Sequence, residues 1–157
     1  MRILAIGDVI GAPGRTYLKD NLQSIKNEFN IDFIIANGEN SSGGLGMNPK
    51  AFSELTSAGV NAITLGNHTW RKKDILKVID DTRVIRPINY LDGTAGRGFR
   101  FFNVNGKRVE VVVEDGEITT CKVFNVDGSM NWFEKDGIIA TNENAEKVVN
   151  ECIKASA

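Results

Sequence analysis

The 157-residue sequence is poor in the side chains that most often bind transition metals in proteins. It contains one histidine, His68, and two cysteines, Cys121 and Cys152, which lie far apart in the chain. Neither cysteine belongs to a Cys-x-x-Cys pair, which excludes a zinc knuckle and a thioredoxin-like redox motif. We expect both cysteines to be buried, reduced thiols. Two-metal hydrolytic centres usually use several histidines, so the single histidine argues against a complete centre of that kind.

The sequence also lacks an excess of charge and long apolar runs. Its formal net charge is -1, so it offers no broad positive field for bulk nucleic-acid binding. No apolar run approaches the roughly 20 residues that cross a bilayer, and the first residues lack the layout of a signal peptide. We therefore expect a cytoplasmic protein without a membrane partner. The basic cluster at residues 71–73 is either a solvated helix face or a patch that steers phosphate.

Strand and helix patterns alternate in the first part of the chain. Short apolar runs at residues 3–6, 33–36, 62–65 and 84–85 predict strands buried on both faces. Helical spacing predicts helices at residues 16–29, 48–59 and 70–79, while Gly and Pro at residues 11–14 predict a break. This alternation is typical of an α/β fold with a parallel sheet and flanking helices.

The pattern changes after residue 97. Three strand-like runs at residues 99–104, 108–113 and 118–124 are joined by Asn-Gly and Asp-Gly, which favour tight hairpins and predict an antiparallel meander. A loop and a helix at about residues 142–155 are predicted to follow. We therefore divide the chain into an α/β half-domain, residues 1–97, and a meander with a terminal helix, residues 98–157, packed together as one unit.

Polar side chains follow three of the predicted parallel strands. Asp8 comes after the first, Glu39 and Asn40 after the second, and Asn67 and His68 after the third. Because the carboxyl ends of parallel strands meet at one edge of a sheet, where ligands gather, these groups should lie close together. The sequence therefore predicts a metal or phosphate site at this edge.

The chemistry of these groups suits a divalent cation. Carboxylates and amide oxygens bind Mn²⁺, Mg²⁺ or Fe, and the carboxylate of Glu39 could bridge two ions. His68 could protonate a leaving oxygen or stabilise charge on a phosphate. Arg15 either reaches a phosphate or has a surface role, and Gly43 and Gly44 could form a mobile substrate loop. These glycines do not match a P-loop, which ends in Gly-Lys-Ser/Thr.

Several motifs resemble those of the YmdB-like family of bacterial metallophosphoesterases. They are GDVIGAPGR (7–15), NGEN (37–40) and GNHTW (66–70), followed by RPINY (86–90), GT (93–94) and GRG (96–98). The resemblance covers about the first 105 residues, and the last 50 or so do not share it. It implies half of a four-layer αββα sandwich and the hydrolysis of phosphodiesters, notably 2′,3′-cyclic nucleotides.

The resemblance also implies roles for individual residues. Asp8 would bind one metal ion, Glu39 would bridge two, and Asn67 would bind the second. Asn40 would be a further metal-site residue, acting near the bridge or the phosphate, and His68 would be the general acid or the stabiliser of the transition state.

One departure from the family is large. The family pattern has further metal-binding histidines in a second half, including a His-x-His pair, whereas no histidine follows His68 here. A shortened paralogue, a fusion and an engineered recombinant are all compatible with this difference. Four acidic residues of the second part are candidate replacements for the missing ligands: Asp115, Glu117, Asp127 and Asp136.

Three hypotheses for function remain open. The first is a metal-dependent phosphodiesterase acting on a small phosphodiester or nucleotide, with weakened or lost activity and a single or weakly bound ion. The second is a non-catalytic scaffold that associates through exposed apolar surface, since half of a two-sheet sandwich leaves one face uncovered. Either the meander covers that face within the chain, or a second copy covers it in a homo-oligomer. The third is a module that binds a nucleotide or phosphate without hydrolysis.

Overall fold

Four short apolar segments form a parallel sheet in the order in which they occur in the chain. In the computed structural model, which describes residues 1–125 and 130–131, they are β1 (Ile3–Asp8), β2 (Phe33–Asn37), β3 (Ala62–Thr64) and β4 (Val84–Ile85). All three neighbouring pairs are parallel, and β2 to β4 are almost entirely buried. The prediction of an α/β fold built on a parallel sheet is therefore confirmed.

Two α-helices connect the first three strands, α1 (Gly11–Glu28) and α2 (Pro49–Ser57). Because the strands lie in the order β1-β2-β3-β4, each connection leads to the next strand on the same side of the previous one. Right-handed connections of this kind place both helices on the same face of the sheet. The side chain of Asn48 caps α2 by accepting a 2.9 Å hydrogen bond from the backbone amide of Ala51. The helices and the sheet share one apolar core, which includes Leu22, Leu55 and Ile63.

Two local predictions in this half are wrong. Residues 11–14 do not break the chain but form the first turn of α1, where Pro13 is tolerated because first-turn amides have no intrahelical acceptor. Residues 70–79 do not form an α-helix, and only Lys73–Lys77 is helical, as a 3₁₀ helix. The amide of Arg71 donates a 3.0 Å hydrogen bond to the carbonyl of His68, so residues 68–71 form a turn instead of the start of an α-helix. Within this segment Leu76 is 62% exposed.

The second sheet is an antiparallel meander. Its strands are β5 (Phe99–Val104), β6 (Lys107–Glu114), β7 (Glu117–Phe124) and β8 (Met130–Asn131). Asn105, Gly106, Asp115 and Gly116 have φ of 49°, 75°, 49° and 88°, the positive values that two-residue primed turns require. The meander is confirmed, and the short β8 extends it within a segment predicted as loop. The predicted terminal helix at about 142–155 lies outside the described residues.

The meander covers the face of the parallel sheet that the helices leave free. Alternate residues of the parallel strands meet the inner residues of the meander in a second apolar core. Its buried members are Phe33, Ile35, Ala62 and Ile85 from the parallel sheet, with Val104, Val109, Val111, Val113 and Val123 from the meander. Helices, parallel sheet and meander therefore form three successive layers.

This packing bears on the predicted homo-oligomer, because the chain itself covers the face that a second copy would have covered. Oligomerisation and the domain boundary at residue 97 stay predictions. Among the described residues, no helix combines the length and apolarity needed to cross a bilayer.

Candidate active site

The candidate site lies at the carboxyl edge of the parallel sheet. Asp8 ends β1 and pairs with Asn37 of β2, which in turn pairs with Thr64 of β3, so the loops after the three strands start side by side. The structure brings Asp8, Glu39, Asn40 and His68 together through direct hydrogen bonds. The expectation that strand order would gather these side chains at one edge matches this geometry, while their roles as ligands or catalysts stay predictions.

Asn40 links the carboxylate of Asp8 to the imidazole of His68. Its Nδ2 donates to Asp8 Oδ2 at 3.0 Å, and its Oδ1 lies 2.6 Å from His68 Nδ1. An ionised carboxylate only accepts hydrogen bonds, so it turns the NH₂ of Asn40 toward Asp8 and the amide oxygen toward His68. Because that oxygen is an acceptor, Nδ1 of His68 must carry a proton. The remaining ring nitrogen, Nε2, is then the one available for chemistry.

Glu39 is the buried acid of the site, with 8% of its surface exposed. Its Oε2 accepts a 3.0 Å hydrogen bond from the backbone amide of His68. Gly66 makes room for this carboxylate, because a Cβ on residue 66 would lie 2.8 Å from the carboxylate carbon of Glu39. Among the described residues, Oε1 of Glu39 accepts no hydrogen bond. A buried carboxylate with a free oxygen is suited to bind a cation.

Asn67 and the predicted substrate loop lie around these four residues. Asn67 is exposed, and its side chain makes no hydrogen bond to any described residue, which leaves its amide oxygen available. Gly43 and Gly44 have positive φ, 68° and 85°, and line an open cavity of about 620 Å³ together with Asp8. The amide of Gly44 bonds to the carbonyl of Asn40 at 3.2 Å, so this loop is tied directly to the site.

Arg15 is engaged away from the site's carboxylates. Its Nε donates to Glu54 Oε2 at 2.5 Å, its Nη1 donates to the carbonyl oxygen of Ser41, and its side chain is 11% exposed. The hydrogen bond from Arg15 holds the pKa of Glu54 below its usual range. In this arrangement the guanidinium fastens α1 to α2 and to the loop after β2. Phosphate binding by Arg15 stays a prediction.

The structure adds a contact that the sequence did not predict, between the β6–β7 turn and the site. A Cβ on Gly116 would lie 3.1 Å from the Cα of Gly66, and the neighbouring Asp115 accepts a hydrogen bond from the side chain of Asn89. The contact joins residues that are distant in the sequence, so no local pattern signals it. It brings the turn to the candidate site, together with Asp115, one of the four acidic residues proposed to replace the missing ligands. Of the other three, Glu117 is exposed, while Asp127 and Asp136 lie outside the described residues.

The side chains at this edge offer oxygen ligands, which suit a hard cation, rather than the several histidines that are typical of a two-metal hydrolytic centre. Within residues 1–125, no three His, Cys, Asp or Glu side chains cluster closely enough to hold an ion by themselves. Asp8 and Glu39 supply carboxylate oxygens, and Asn67 supplies a free amide oxygen, which together suit Mg²⁺ or Mn²⁺. Oδ1 of Asn40 has a second lone pair, so it could bind a cation while it accepts the hydrogen bond from His68.

A protein-family model described as "YmdB-like protein" matches residues 4–149. The chain belongs to this family. The match extends beyond the first 105 or so residues that carry the sequence motifs. The chain is 44% identical over 113 residues to a 2′,3′-cyclic-nucleotide 2′-phosphodiesterase of Bacillus subtilis, covering 71% of this chain and 43% of the relative.

Two solved structures of related chains resemble the fold. A hypothetical protein from Thermus thermophilus superposes with a TM-score of 0.67 at 38% identity, covering 71% of this chain and 44% of the other. A novel phosphatase from Mycoplasma pneumoniae gives a TM-score of 0.65 at 32% identity, covering 75% and 46%. The chain therefore spans less than half the length of each of these three relatives.

Proposed function

We propose that the chain hydrolyses small phosphodiesters, 2′,3′-cyclic nucleotides among them, with the help of a divalent cation. The observation that carries this proposal is the hydrogen-bonded series Asp8–Asn40–His68 beside the buried Glu39. It combines an oriented imidazole with two carboxylates at the sheet edge where ligands of α/β proteins bind. The B. subtilis relative supports the choice of substrate, since its name specifies a cyclic-nucleotide phosphodiesterase.

His68 is the general acid in this proposal. Its Nδ1 proton is directed at Asn40, so Nε2 carries the transferable proton in the imidazolium form. Water adds to phosphorus and releases one proton to the solvent, the ester P–O bond breaks, and the departing alkoxide oxygen takes the Nε2 proton. Protonation of Nε2 from the solvent restores the acid. Asn40 and Asp8 keep the ring in the required orientation and stabilise its positive charge. Positioned proton transfer of this kind typically contributes about 10²- to 10⁴-fold in rate.

The proposed cation is Mn²⁺, Fe²⁺ or Mg²⁺, and the residues that would hold it are Asp8, Glu39, Asn40 and Asn67. When bound, such an ion neutralises phosphate charge and lowers the pKa of a bound water. Glu39 also holds the backbone amide of His68, so one carboxylate would couple the ion's position to that of the acid. This donor set is small, and we expect one weakly bound ion and slow turnover.

The other two hypotheses have less support. The scaffold hypothesis assumed an uncovered sheet face, and the meander covers that face. Binding without hydrolysis would use the same residues, and the assay below distinguishes it from catalysis.

The test measures hydrolysis of bis-p-nitrophenyl phosphate and 2′,3′-cyclic AMP with added Mn²⁺. The variants are His68→Ala and Asp8→Asn, with Asp20→Asn on the exposed side of α1 as a control of the same chemical type. We expect metal-dependent turnover in the wild type and in Asp20→Asn, a drop of about 100-fold or more in His68→Ala, and a higher Mn²⁺ requirement in Asp8→Asn. A wild-type rate no greater than that of the two site variants would refute the proposed activity.

A further inference from the structure

An aromatic pair stands beside the candidate site and has no part in the mechanism above. The rings of Trp70 and Tyr90 pack edge to face, with centroids 5.7 Å apart and an interplanar angle of 72°. Trp70 remains 36% exposed, although indole is among the most costly side chains to leave in water. Its flat apolar surface is suited to contact a planar ligand.

Hydrogen bonds place Trp70 next to His68. The amide of Thr69 bonds to the carbonyl of Gly66 at 3.1 Å, and the amide of Arg71 bonds to the carbonyl of His68 at 3.0 Å. Residues 68–71 therefore form a β-turn, whose end residues lie within about 7 Å of each other. Trp70 occupies the third position of that turn. Its ring is carried by the same short loop that carries the proposed acid.

Tyr90 is tied to this loop from the other side. Its neighbour Asn89 exchanges hydrogen bonds with Asp115, and the adjacent Gly116 lies against Gly66. The segment that carries Tyr90 and the loop that carries Trp70 thus meet at the β6–β7 turn. The segments that carry both members of the aromatic pair therefore adjoin the loop that carries His68.

A buried arginine fixes the position of Tyr90. The guanidinium of Arg86 lies 5.9 Å from the centre of the Tyr90 ring, and Arg86 is only 8% exposed. It donates hydrogen bonds to the carbonyls of Pro87 at 2.7 Å, Ala95 at 2.9 Å and Thr94 at 3.2 Å. Three hydrogen bonds to backbone carbonyls make Arg86 a rigid support, and a preorganised ring binds a ligand at a lower entropic cost.

We propose that Trp70, supported by Tyr90, is the platform on which the base of a nucleotide substrate stacks while its phosphate lies at His68. This inference rests on the proposed function, since it assumes a phosphate ester at the same site. Every nucleobase has a π-face, so stacking on an indole favours nucleotides as a class without selecting one base. The platform would make the enzyme prefer base-bearing cyclic phosphates over cyclic phosphates that lack a base.

The experiment compares two substrates, 2′,3′-cyclic AMP and the 2′,3′-cyclic phosphate of 1-O-methylribose, which lacks the base. The variants are Trp70→Leu, which removes the π-system, and Trp70→Phe, which keeps a smaller one. Phe101→Leu is the control, because Phe101 is also an exposed aromatic residue, 48% exposed, but lies on β5 of the meander. Values of kcat and KM are measured separately for each pair of enzyme and substrate.

We expect Trp70→Leu to lose about tenfold in kcat/KM for cyclic AMP, mostly through KM, as for the loss of one stacked base. The methylriboside should be hydrolysed equally by the wild type and Trp70→Leu. Trp70→Phe should recover part of the loss, and Phe101→Leu should behave as the wild type. An equal loss on both substrates, or no loss on cyclic AMP, would overturn the platform.

A binding measurement separates this proposal from the proposed activity. Calorimetric titration of 2′,3′-cyclic AMP into His68→Ala, with and without Trp70→Leu, reports on stacking without hydrolysis. A loss of affinity of about tenfold on removing Trp70 supports the platform even if the wild type proves inactive. Equal affinities, or no binding to either protein, would count against it.

Discussion

The fit between Gly66 and Glu39 makes a quantitative prediction about the site. A methyl group on residue 66 would lie 2.8 Å from the carboxylate carbon of Glu39, inside normal contact distance. Both residues are buried, so the clash can be relieved only by moving the carboxylate or the loop. Overpacking of this kind costs about 2 kcal/mol. For a chain of this size, that lowers Tm by roughly 4–8 °C.

A double-mutant cycle isolates the clash. We expect Gly66→Ala to destabilise the protein by the amount above, and Glu39→Ala to cost about 1 kcal/mol through the lost hydrogen bond to the amide of His68. With the carboxylate removed, the methyl group has room, so the double variant should cost less than the sum by about 1 kcal/mol or more. Urea unfolding followed by circular dichroism gives all four free energies.

The result that refutes the reasoning is additivity. If the two free-energy changes sum within about 0.5 kcal/mol, Glu39 is not what Gly66 accommodates, and the arrangement of the buried acid described above is incorrect. Measuring Mn²⁺-dependent hydrolysis in Gly66→Ala adds an independent reading, because displacement of the carboxylate should reduce activity more than the loss of stability can explain.

Three further predictions concern other parts of the chain. Asn48→Ala removes the cap of α2 and should cost about 1 kcal/mol in urea unfolding, whereas Asn48→Asp, which keeps an acceptor, should cost less. Arg15 lowers the pKa of Glu54 below 4.5, so the ionised form stabilises the fold above that pH and the stabilisation is lost as pH falls through the lowered value. The unfolding free energy of Glu54→Gln should then depend less on pH between 3 and 5 or so, and an unchanged profile would contradict the ion pair. Burial raises the pKa of Cys121 to about 11. In a Cys152→Ser variant, we therefore expect the Cys121 thiol to react with iodoacetamide at pH 8 far more slowly in the folded protein than in urea. Equal rates would show that the thiol is accessible in the folded protein.

The strands and hairpins were the part of the fold that local patterns could predict. The apolar runs at β2 and β4 are buried on both faces, and the Asn-Gly turn adopts the positive φ values that only a few residue types accept. The first turn of α1 was missed because Gly and Pro signal a break in a helix interior but are compatible with its start. At residues 70–79, the apolar spacing also fits a turn followed by a 3₁₀ helix, and only tertiary contacts decide between them.

The site was predictable to the extent that strand order places the ends of strands. That rule brings Asp8, Glu39, Asn40 and His68 to one edge, because each follows a strand of the same parallel sheet. It does not predict that Asn40 would bond to both Asp8 and His68, which depends on side-chain rotamers. Nor does it predict the approach of Gly116 to Gly66, which depends on how the second sheet packs on the first.

The order of strands in the two sheets has a consequence for how the chain folds. Each strand pairs with its immediate neighbour in sequence in both sheets. The pairings of the meander close short connections, whereas each pairing of the parallel sheet closes a much longer one. The site residues all come from the segment between β1 and the turn after β3, and we expect this segment to gain amide protection together in pulsed hydrogen exchange. Protection that appeared at the ends of β1, β2 and β3 in separate steps would contradict this expectation. The hairpins of the meander can form independently of this edge, and the docking of the β6–β7 turn against Gly66 then joins the two sheets beside the candidate site.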